Sequence, residues 1–514
     1  MRKSLEVSSS TGWPRGLRGL PMMVTLIAAF ISIAVAAPAQ SGTNFYVSTS
    51  GNDSNNGTIG SPWRTIQHAA NSVSAGATVD VRGGTYTESV NILVSGNSSA
   101  GYIVFQSYPG ESAILDGTGL SCCSGSTKGL FNIVDQSYVI LSGFEIRNYS
   151  TTTAASTPAG IWITGTGSNL QLLNNKVHNI VSKSEKNGNA FGIAVYGTSA
   201  TPIRALTISG NQVYSNKTGN SETLNLDGNV QNFTISNNIV HDNDNIGIDA
   251  IGFEKVGPTG HDQVTNGTIT GNTIYNITSF GNPAYGNQYA ADGIYCDGCS
   301  YVTIERNLIY ASDLNIEVAS EHKGHNSSYV TVRNNLVYKG NSNGISIGGY
   351  ASGVGGTDHC TIVGNTLYAN DTKNTGSGEF QVQFHATNNV FKNNVVYAGA
   401  QGLLVNNFTT SEPDPVDVDY NVYYSSAGAS SQWIWNKKTY TGFASYQAGS
   451  GKDAHSYFAD PQFINLTAPD LHVKSTSPAV NNGINLGSAI VGTVDYAGNA
   501  RVQGSNIDIG AYEQ

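Results

Sequence analysis

Two aspartates, Asp242 and Asp249, lie on either side of a short turn-like stretch that carries the densest acidic cluster of the chain. Only 12% of the residues are charged, so this concentration of acids stands out. Hydrolysis of a glycosidic bond needs two carboxyl groups, one protonated near neutral pH and one ionised. The two aspartates are therefore predicted to be the catalytic pair of an enzyme that hydrolyses glycosidic bonds.

The surroundings of each carboxyl group predict its role. Three isoleucines lie close to Asp249 in the sequence: Ile246, Ile248 and Ile251. Apolar surroundings raise the pKa of a carboxyl group, so Asp249 is expected to be the acid. Asp242 lies in a polar turn and is expected to be the nucleophile or base, unless the charge of Asp244 exchanges the two roles. If both acids only cap turns, Glu317 becomes the better catalytic candidate.

A repeat indicates the fold that positions these acids. The pattern asparagine, any residue, aliphatic residue, tyrosine or histidine recurs with starts 27 to 36 residues apart. It begins at Asn175, Asn211, Asn238, Asn272, Asn307, Asn335, Asn365 and Asn394. Short strands without crossover helices argue against a βαβ fold, and the units are shorter than propeller blades. The prediction is an all-β fold, a parallel β-helix (solenoid) in which asparagine amides are hydrogen-bonded from coil to coil.

Aligning the coils by their inward aliphatic residues predicts the register. These residues are Ile193, Leu224, Ile248, Ile294, Ile316 and Ile345. Because side chains alternate along a strand, the following residues form one outward column: Ala194, Asn225, Asp249, Tyr295, Glu317 and Ser346. A second outward column contains Tyr196, Asp227, Ile251, Asp297, Ala319 and Gly348. A solvated sheet face is the alternative, but acids and a tyrosine concentrate on neighbouring rungs.

Two long repeats flank the acidic rungs and contain inserts at residues 253–266 and 278–291. Long loops on one face of a solenoid commonly build a binding site, so we expect them to wall a cleft over the acids. The residues expected to bind substrate are Asp227, Glu254, Asp292, Tyr295, Asp297, Glu317, Glu321 and His322. No metal ligands are predicted, and a hydrolase of this kind requires no cofactor.

A polysaccharide lyase and a non-catalytic glycan-binding protein are the alternative functions. A lyase would use Ca²⁺ to neutralise a uronate and a lysine or arginine to remove the adjacent proton. Asp227, Asp249 and Asp297 lie on rungs that could hold the ion. The outward columns contain no basic residue, and the nearby lysines are in loops or turns: Lys255, Lys323 and Lys339. A glycan-binding protein would need no paired acids and would use Tyr196 and Tyr295 as stacking platforms.

The ends of the chain predict processing and capping. Residues 1–39 read as a signal peptide, because arginines precede an apolar run that ends in the small-x-small sequence Ala37-Pro38-Ala39. The mature protein is expected to be secreted or extracellular without a membrane span, and an uncleaved anchor is the alternative. A helix over residues 62–74 is expected to cover the N-terminal end of the solenoid. Residues 40–125 should form this cap and the first coils, residues 126–410 the β-helix with the cleft, and residues 411–514 the last coils and a C-terminal capping module.

Charge and cysteine content limit the partners. A net charge of −10 without a basic face argues against nucleic acid. The expected partner is an oligo- or polysaccharide, and the chain is expected to act as a monomer. Of the five cysteines, Cys122 with Cys123 and Cys296 with Cys299 are candidates for local disulfides.

Several motifs carry a resemblance to a known group. Tyr46-Val-Ser48, Arg82-Gly-Gly-Thr-Tyr86, Tyr108-Pro-Gly110 and the end from Pro461 to Glu513 resemble secreted right-handed parallel β-helix proteins of the pectate-lyase superfamily. That superfamily includes lyases, hydrolases, epimerases and binding proteins, so the resemblance specifies the fold more strongly than the substrate. The segment from His241 to Glu254 is similar to the central coil of β-helical lacto-N-biosidase-type glycoside hydrolases. This resemblance implies that their pair of catalytic aspartates corresponds to Asp242 and Asp249.

Overall fold

Short strands with alternating inward and outward side chains wind through the chain as successive coils. A computed structural model describes residues 42–123, 127–184, 186–467 and 469–514. The predicted signal peptide, residues 1–39, lies outside the described residues. Successive coils contribute strands to three long sheets, and neighbouring coils pair in parallel along them. The parallel β-helix predicted from the repeat is therefore confirmed.

The three sheets run along the solenoid. Sheet 1 contains, in order, Asn44–Val47, Thr78–Val81, Ile103–Ser107, Val139–Ser142, Gly167–Leu173, Ile203–Ser209, Val230–Ser236, Thr265–Thr270, Ser300–Glu305, Thr331–Arg333, Thr361–Val363, Asn389–Lys392 and Val416–Asp419, with Asn326–Ser328, Gly356–Asp358 and Ala386–Thr387 beside them. Sheet 2 contains Val90–Ile92, Gly129–Val134, Ala159–Gly165, Phe191–Gly197, Leu224–Gly228, Ile248–Ile251, Asp292–Asp297, Leu314–Ala319, Asn343–Ile347, Phe380–Val382, Leu403–Asn407, Gln432–Trp435 and Lys438–Thr441. Sheet 3 contains Gly84–Tyr86, Ala113–Asp116, Glu145–Thr151, Lys176–Ser182, Gln212–Tyr214, Ile239–Asn243, Thr273–Ile277, Leu308–Tyr310, Leu336–Tyr338, Thr366–Tyr368, Val395–Ala398, Val422–Ser425 and Tyr457–Phe458. A separate antiparallel pair is formed by Phe463–Asn465 and Asp470–Val473.

The pairing in sheet 2 confirms the predicted register. Leu224 pairs with Ile193 on one side and with Ile248 on the other, and the same inward column continues through the later coils. Its six members are completely buried: Ile193, Leu224, Ile248, Ile294, Ile316 and Ile345. In the outward column, Asp249 pairs with Asn225 and Tyr295. The strand alternation read from the sequence therefore identifies which side chains leave the core.

A ladder of buried asparagines connects the coils. Each repeat asparagine from Asn175 to Asn394 donates through its amide Nδ2 and its backbone N–H to the Oδ1 of the asparagine one coil further on. The residue before each ladder asparagine, such as Asn174 or Asn237, adopts the left-handed conformation. The predicted ladder is confirmed, and the left-handed bend lies one residue earlier than the asparagine itself.

The N-terminal helix spans Ile66–Ser72, and Thr65 is its N-cap residue. The prediction of a start at Pro62 is wrong because Trp63 forms extended backbone hydrogen bonds with Tyr46 and Ser48 instead. The carboxylate of Glu88 accepts hydrogen bonds from the first two backbone N–H groups of the helix. The apolar residues Ile66, Ala69 and Ala70 of this helix are buried against the first coils.

Residues 411–514 form two different structures. The hairpin of Gln432–Trp435 and Lys438–Thr441 and the helix Phe443–Ser450 follow the last coil, with Trp433 and Tyr446 buried between them. The final segment instead folds back along the side of the solenoid, where Ala511 donates a backbone hydrogen bond to Thr366. A buried ion pair of Arg501 and Glu513, 2.8 Å apart, fixes this segment internally.

Two short helices, Gly428–Ser430 and Ser488–Val491, complete the secondary structure of the described residues. Within the described ranges, no helix has the length and apolar character that a membrane crossing requires. The two predicted local disulfides, Cys122 to Cys123 and Cys296 to Cys299, are formed, and Cys360 is a buried free thiol.

Candidate active site

The outward face of sheet 2 carries an almost fully buried group of polar side chains. Asp249 is 2% exposed, Tyr295 1% and Glu317 1%, although all three point away from the solenoid core. In the second outward column, Asp227 is 3% exposed and Asp297 is 4% exposed. An ordinary solvated sheet face would leave such groups open to water, so this arrangement favours a binding site over the alternative of surface acids.

Burial and the charges of neighbouring acids raise the pKa values of several of these carboxyl groups. Burial raises the pKa of Asp249 well above its usual range, and the nearby charges of Glu222 and Asp297 raise it further. Burial raises the pKa of Glu222 to about 8, with further contributions from the charges of Asp227 and Glu254. Burial also raises the pKa of Asp227 to about 7. A group of carboxyls with these values retains protons near neutral pH, which a general acid requires.

Other members of the group are held by specific contacts. Glu317 Oε1 accepts hydrogen bonds from Gln383 Nε2 at 2.9 Å and from Ser346 Oγ at 3.2 Å. Asp297 Oδ1 accepts a 2.7 Å hydrogen bond from the backbone N–H of Glu321. Tyr295 is buried in an apolar cluster with other side chains, so it does not offer the open ring face that was expected of a stacking platform.

The two inserts border opposite ends of the acidic strands. The insert at 253–266 follows the strand Ile248–Ile251, and its Glu254 carboxylate lies 3.2 Å from His322 Nε2. The insert at 278–291 precedes the strand Asp292–Asp297, and its Asn282 donates to the backbone oxygens of Gly219 and Asp244 at 2.8 Å each. The acidic rungs lie between the strand ends from which these loops leave.

Asp242 lies on sheet 3 and not on the outward face of sheet 2. It lies one residue before the end of the strand Ile239–Asn243, in the left-handed conformation (φ +53°), and its half-exposed carboxylate is 2.7 Å from His241 Nδ1. Asn276 Nδ2 donates to its other oxygen at 3.0 Å. It lines an open groove of about 1170 Å³ with residues such as Lys183 and Phe280, and Asp249 is not part of this lining.

The structure therefore does not bring Asp242 and Asp249 to one binding surface. The chain turns the corner between sheets 3 and 2 at residues 244–247, so the two side chains leave the solenoid from different sheets. The remaining predicted binding residues lie on sheet 2 or on the loops that follow its strands: Asp227, Glu254, Asp292, Tyr295, Asp297, Glu317, Glu321 and His322.

Sequence comparisons place the chain in a family. A model described as Pel9A-like, right handed beta helix region, matches residues 45–201. The uncharacterized protein YwoF of Bacillus subtilis (strain 168) is 37% identical over 460 residues, which cover 89% of this chain and 97% of YwoF. The chain belongs to the YwoF family. It is a right-handed parallel β-helix of the pectate-lyase superfamily, as the motifs of the first and last coils indicated.

More distant relatives agree with this fold. Pectate lyase PEL9 of Emericella nidulans is 36% identical over 125 residues, covering 22% of this chain and 30% of that enzyme. The GH136 lacto-N-biosidase of Eubacterium ramulus superimposes with a TM-score of 0.50 at 14% identity, covering 82% of this chain and 67% of that structure. At this identity the superposition is evidence for the fold alone. The family model ends at residue 201, before the acidic rungs of sheet 2 begin.

Glu222 is the site residue that the sequence reasoning missed. It lies two residues before the inward Leu224, so strict alternation would direct it into the core. A bend at Thr223 breaks the alternation, so the charge of Glu222 acts on Asp249 and the charge of Asp227 acts on Glu222. Its signal in the sequence was an acidic residue one coil before Asp249, immediately ahead of a strand whose outward residues are polar.

Proposed function

We propose that this protein is a secreted carbohydrate-active enzyme that hydrolyses glycosidic bonds at the outward face of sheet 2. We call this surface the acidic face, and its acids are Glu222, Asp227, Asp249, Asp297 and Glu317. The observation that carries the proposal is a pair of buried carboxyl groups with raised pKa values, in which the charge of Glu222 adds to the effect of burial on Asp249. At a pH between the pKa of Glu222, about 8, and the higher pKa of Asp249, the two carboxyl groups hold one proton between them, and this is the state that acid-catalysed cleavage of a glycosidic bond needs.

The different exposure of the two carboxyls assigns their roles. Asp249 is 2% exposed, so its neutral form is favoured, and it donates the proton to the glycosidic oxygen. Glu222 is more exposed and ionises at a lower pH than Asp249, so above about pH 8 it is the ionised nucleophile or base. Asp297 and Glu317, on neighbouring rungs, accept hydrogen bonds from sugar hydroxyls. In this assignment Glu222 replaces Asp242 as the partner of Asp249, because Asp242 faces the groove on the other side of the corner.

The electrostatics also favour a class of substrate. The charged groups that raise the pKa of Asp249 most are all carboxylates, and the chain carries a net charge of −10. A polyanionic glycan would be repelled by such a surface unless a cation intervened. We therefore propose a neutral oligo- or polysaccharide as the substrate.

A Ca²⁺-dependent lyase is the second candidate. It is supported by the match to pectate lyase PEL9 over 125 residues and by the buried carboxylates of Asp227, Asp249 and Asp297. The lysine closest in sequence to this site is Lys255, whose charge acts on Glu254. In this mechanism Ca²⁺ would neutralise a uronate and Lys255 would remove the adjacent proton.

One assay separates the two reactions. A panel of neutral and uronate-containing glycans is incubated with the purified mature protein, and new reducing ends and unsaturated-uronate absorbance are followed in parallel. Hydrolysis of a neutral glycan gives reducing ends without absorbance. Absorbance on a uronate glycan would establish the lyase instead, and the absence of both signals across the panel would contradict the enzymatic proposal.

A further inference from the structure

Three side chains at one edge of the acidic face meet in the geometry of a metal site. Glu254, Asp297 and His322 each offer a ligand atom, and these atoms all lie within 4.8 Å of one another. They come from the first insert, from the end of the strand Asp292–Asp297 and from the loop after the strand Leu314–Ala319. Three separate parts of the chain therefore converge on one point.

Asp227 provides a second, independent observation. Its side chain is 3% exposed, and its Oδ1 atom has no hydrogen-bond partner among the described residues. Leaving a buried carboxylate oxygen without a partner costs free energy, which a cation would recover. Asp227 lies beside the converging side chains, because the charges of Glu254 and His322 are among those that act on it.

We propose that Glu254, Asp297, His322 and Asp227 bind a divalent transition-metal ion of the Zn²⁺ class. An imidazole combined with carboxylates in a set of four ligands suits Zn²⁺, whereas Ca²⁺ takes six to eight oxygen ligands. Both the sequence-based prediction of no metal and the Ca²⁺ of the lyase alternative differ from this proposal. The inference does not depend on which reaction the acidic face performs, since it concerns binding alone.

The ion would connect the first insert to the solenoid. Glu254 lies on the insert, whereas Asp227 and Asp297 lie on strands of sheet 2, separated by the single strand Ile248–Ile251. A ligand that binds the folded state and not the unfolded chain stabilises the protein. Binding should therefore raise the melting temperature as well as give a calorimetric signal.

The test uses the purified protein after removal of metal with a chelator. Isothermal titration calorimetry and thermal melting are measured with ZnCl₂, MnCl₂ and CaCl₂ in turn. We expect one Zn²⁺ per chain, at least tenfold weaker binding by His322→Gln and by Asp227→Asn, and a Zn²⁺-dependent rise in melting temperature that both variants lose. His261→Gln serves as the matched control, because His261 is an exposed histidine on the same insert outside the ligand set.

The outcomes separate the possibilities. Circular dichroism of the metal-free variants shows whether they are folded, and two different variants keep the test valid if one of them is not. The proposal is overturned if Zn²⁺ does not bind stoichiometrically. It is equally overturned if both folded variants keep the parent's Zn²⁺ affinity, or if Ca²⁺ binds at this site more tightly than Zn²⁺.

Discussion

Replacing one asparagine of the internal ladder should measure how strongly the coils are connected. Asn272 is completely buried, and its side chain takes part in four hydrogen bonds. Its Oδ1 accepts from the backbone N–H and the Nδ2 of Asn238, and its Nδ2 donates to the backbone oxygen of Ile235 and to Oδ1 of Asn307. At about 1 kcal/mol for each bond, Asn272→Ala should lower the free energy of unfolding by about 4 kcal/mol.

Equilibrium urea unfolding followed by circular dichroism gives this difference from the shift of the midpoint. Asn485→Ala is the control, because Asn485 is exposed and its Oδ1 accepts a hydrogen bond from the backbone N–H of Gly487. We expect the control to cost about 1 kcal/mol or less. A loss below about 1 kcal/mol for Asn272→Ala would refute the view that the ladder holds neighbouring coils together.

Three further predictions concern the core, the groove and the acidic face. Ile248→Asp buries a charge in the inward column and should cost several kcal/mol on thermal unfolding, and wild-type melting would contradict the register. Asp242→Asn should keep most of the parent's kcat because Asp242 faces the groove. A hundredfold fall in kcat would mean that Asp242 is one of the two catalytic carboxyl groups. Glu222→Gln should be more stable than the parent at pH 8, by at most about 5 kcal/mol at about 1.4 kcal/mol per pKa unit. The pKa of Glu222 is about 8 in the folded protein and about 4.5 in the unfolded chain. The free energy of unfolding of the parent therefore falls as the pH rises from about 4.5 to 8. The difference in free energy of unfolding between the variant and the parent should disappear below pH 4.5. Unfolding curves that show no such pH-dependent gap would contradict the raised pKa.

Periodicity was enough to predict the solenoid. The asparagine spacing and the inward aliphatic column depend on local alternation, which a sequence displays directly, and both Asn272 and Ile248 occupy their predicted positions. The N-terminal helix was placed correctly but started too early, because the backbone pairing of Trp63 with Tyr46 involves a strand distant in sequence.

The candidate site was less predictable because bends between the sheets determine which side chains reach the same surface. Asp242 and Asp249 are seven residues apart in sequence (249 − 242), yet the bend between sheets 3 and 2 sends their side chains to different surfaces. Glu222 reaches the acidic face only because a bend at Thr223 interrupts the strand alternation. Neither bend follows from residue type alone. The partnership between the first insert and His322 likewise depends on three-dimensional stacking.

We propose Asp249 as the proton donor in the cleavage of the glycosidic bond. The most direct test of this proposal is kcat for the Asp249→Asn variant, measured on a glycan that the parent cleaves and accompanied by a melting curve that confirms folding. Asparagine keeps the shape of the side chain and cannot donate the catalytic proton, so kcat should fall at least about a hundredfold while the variant stays folded. A folded Asp249→Asn protein that cleaves the glycan at close to the parental rate would show that Asp249 is not the proton donor.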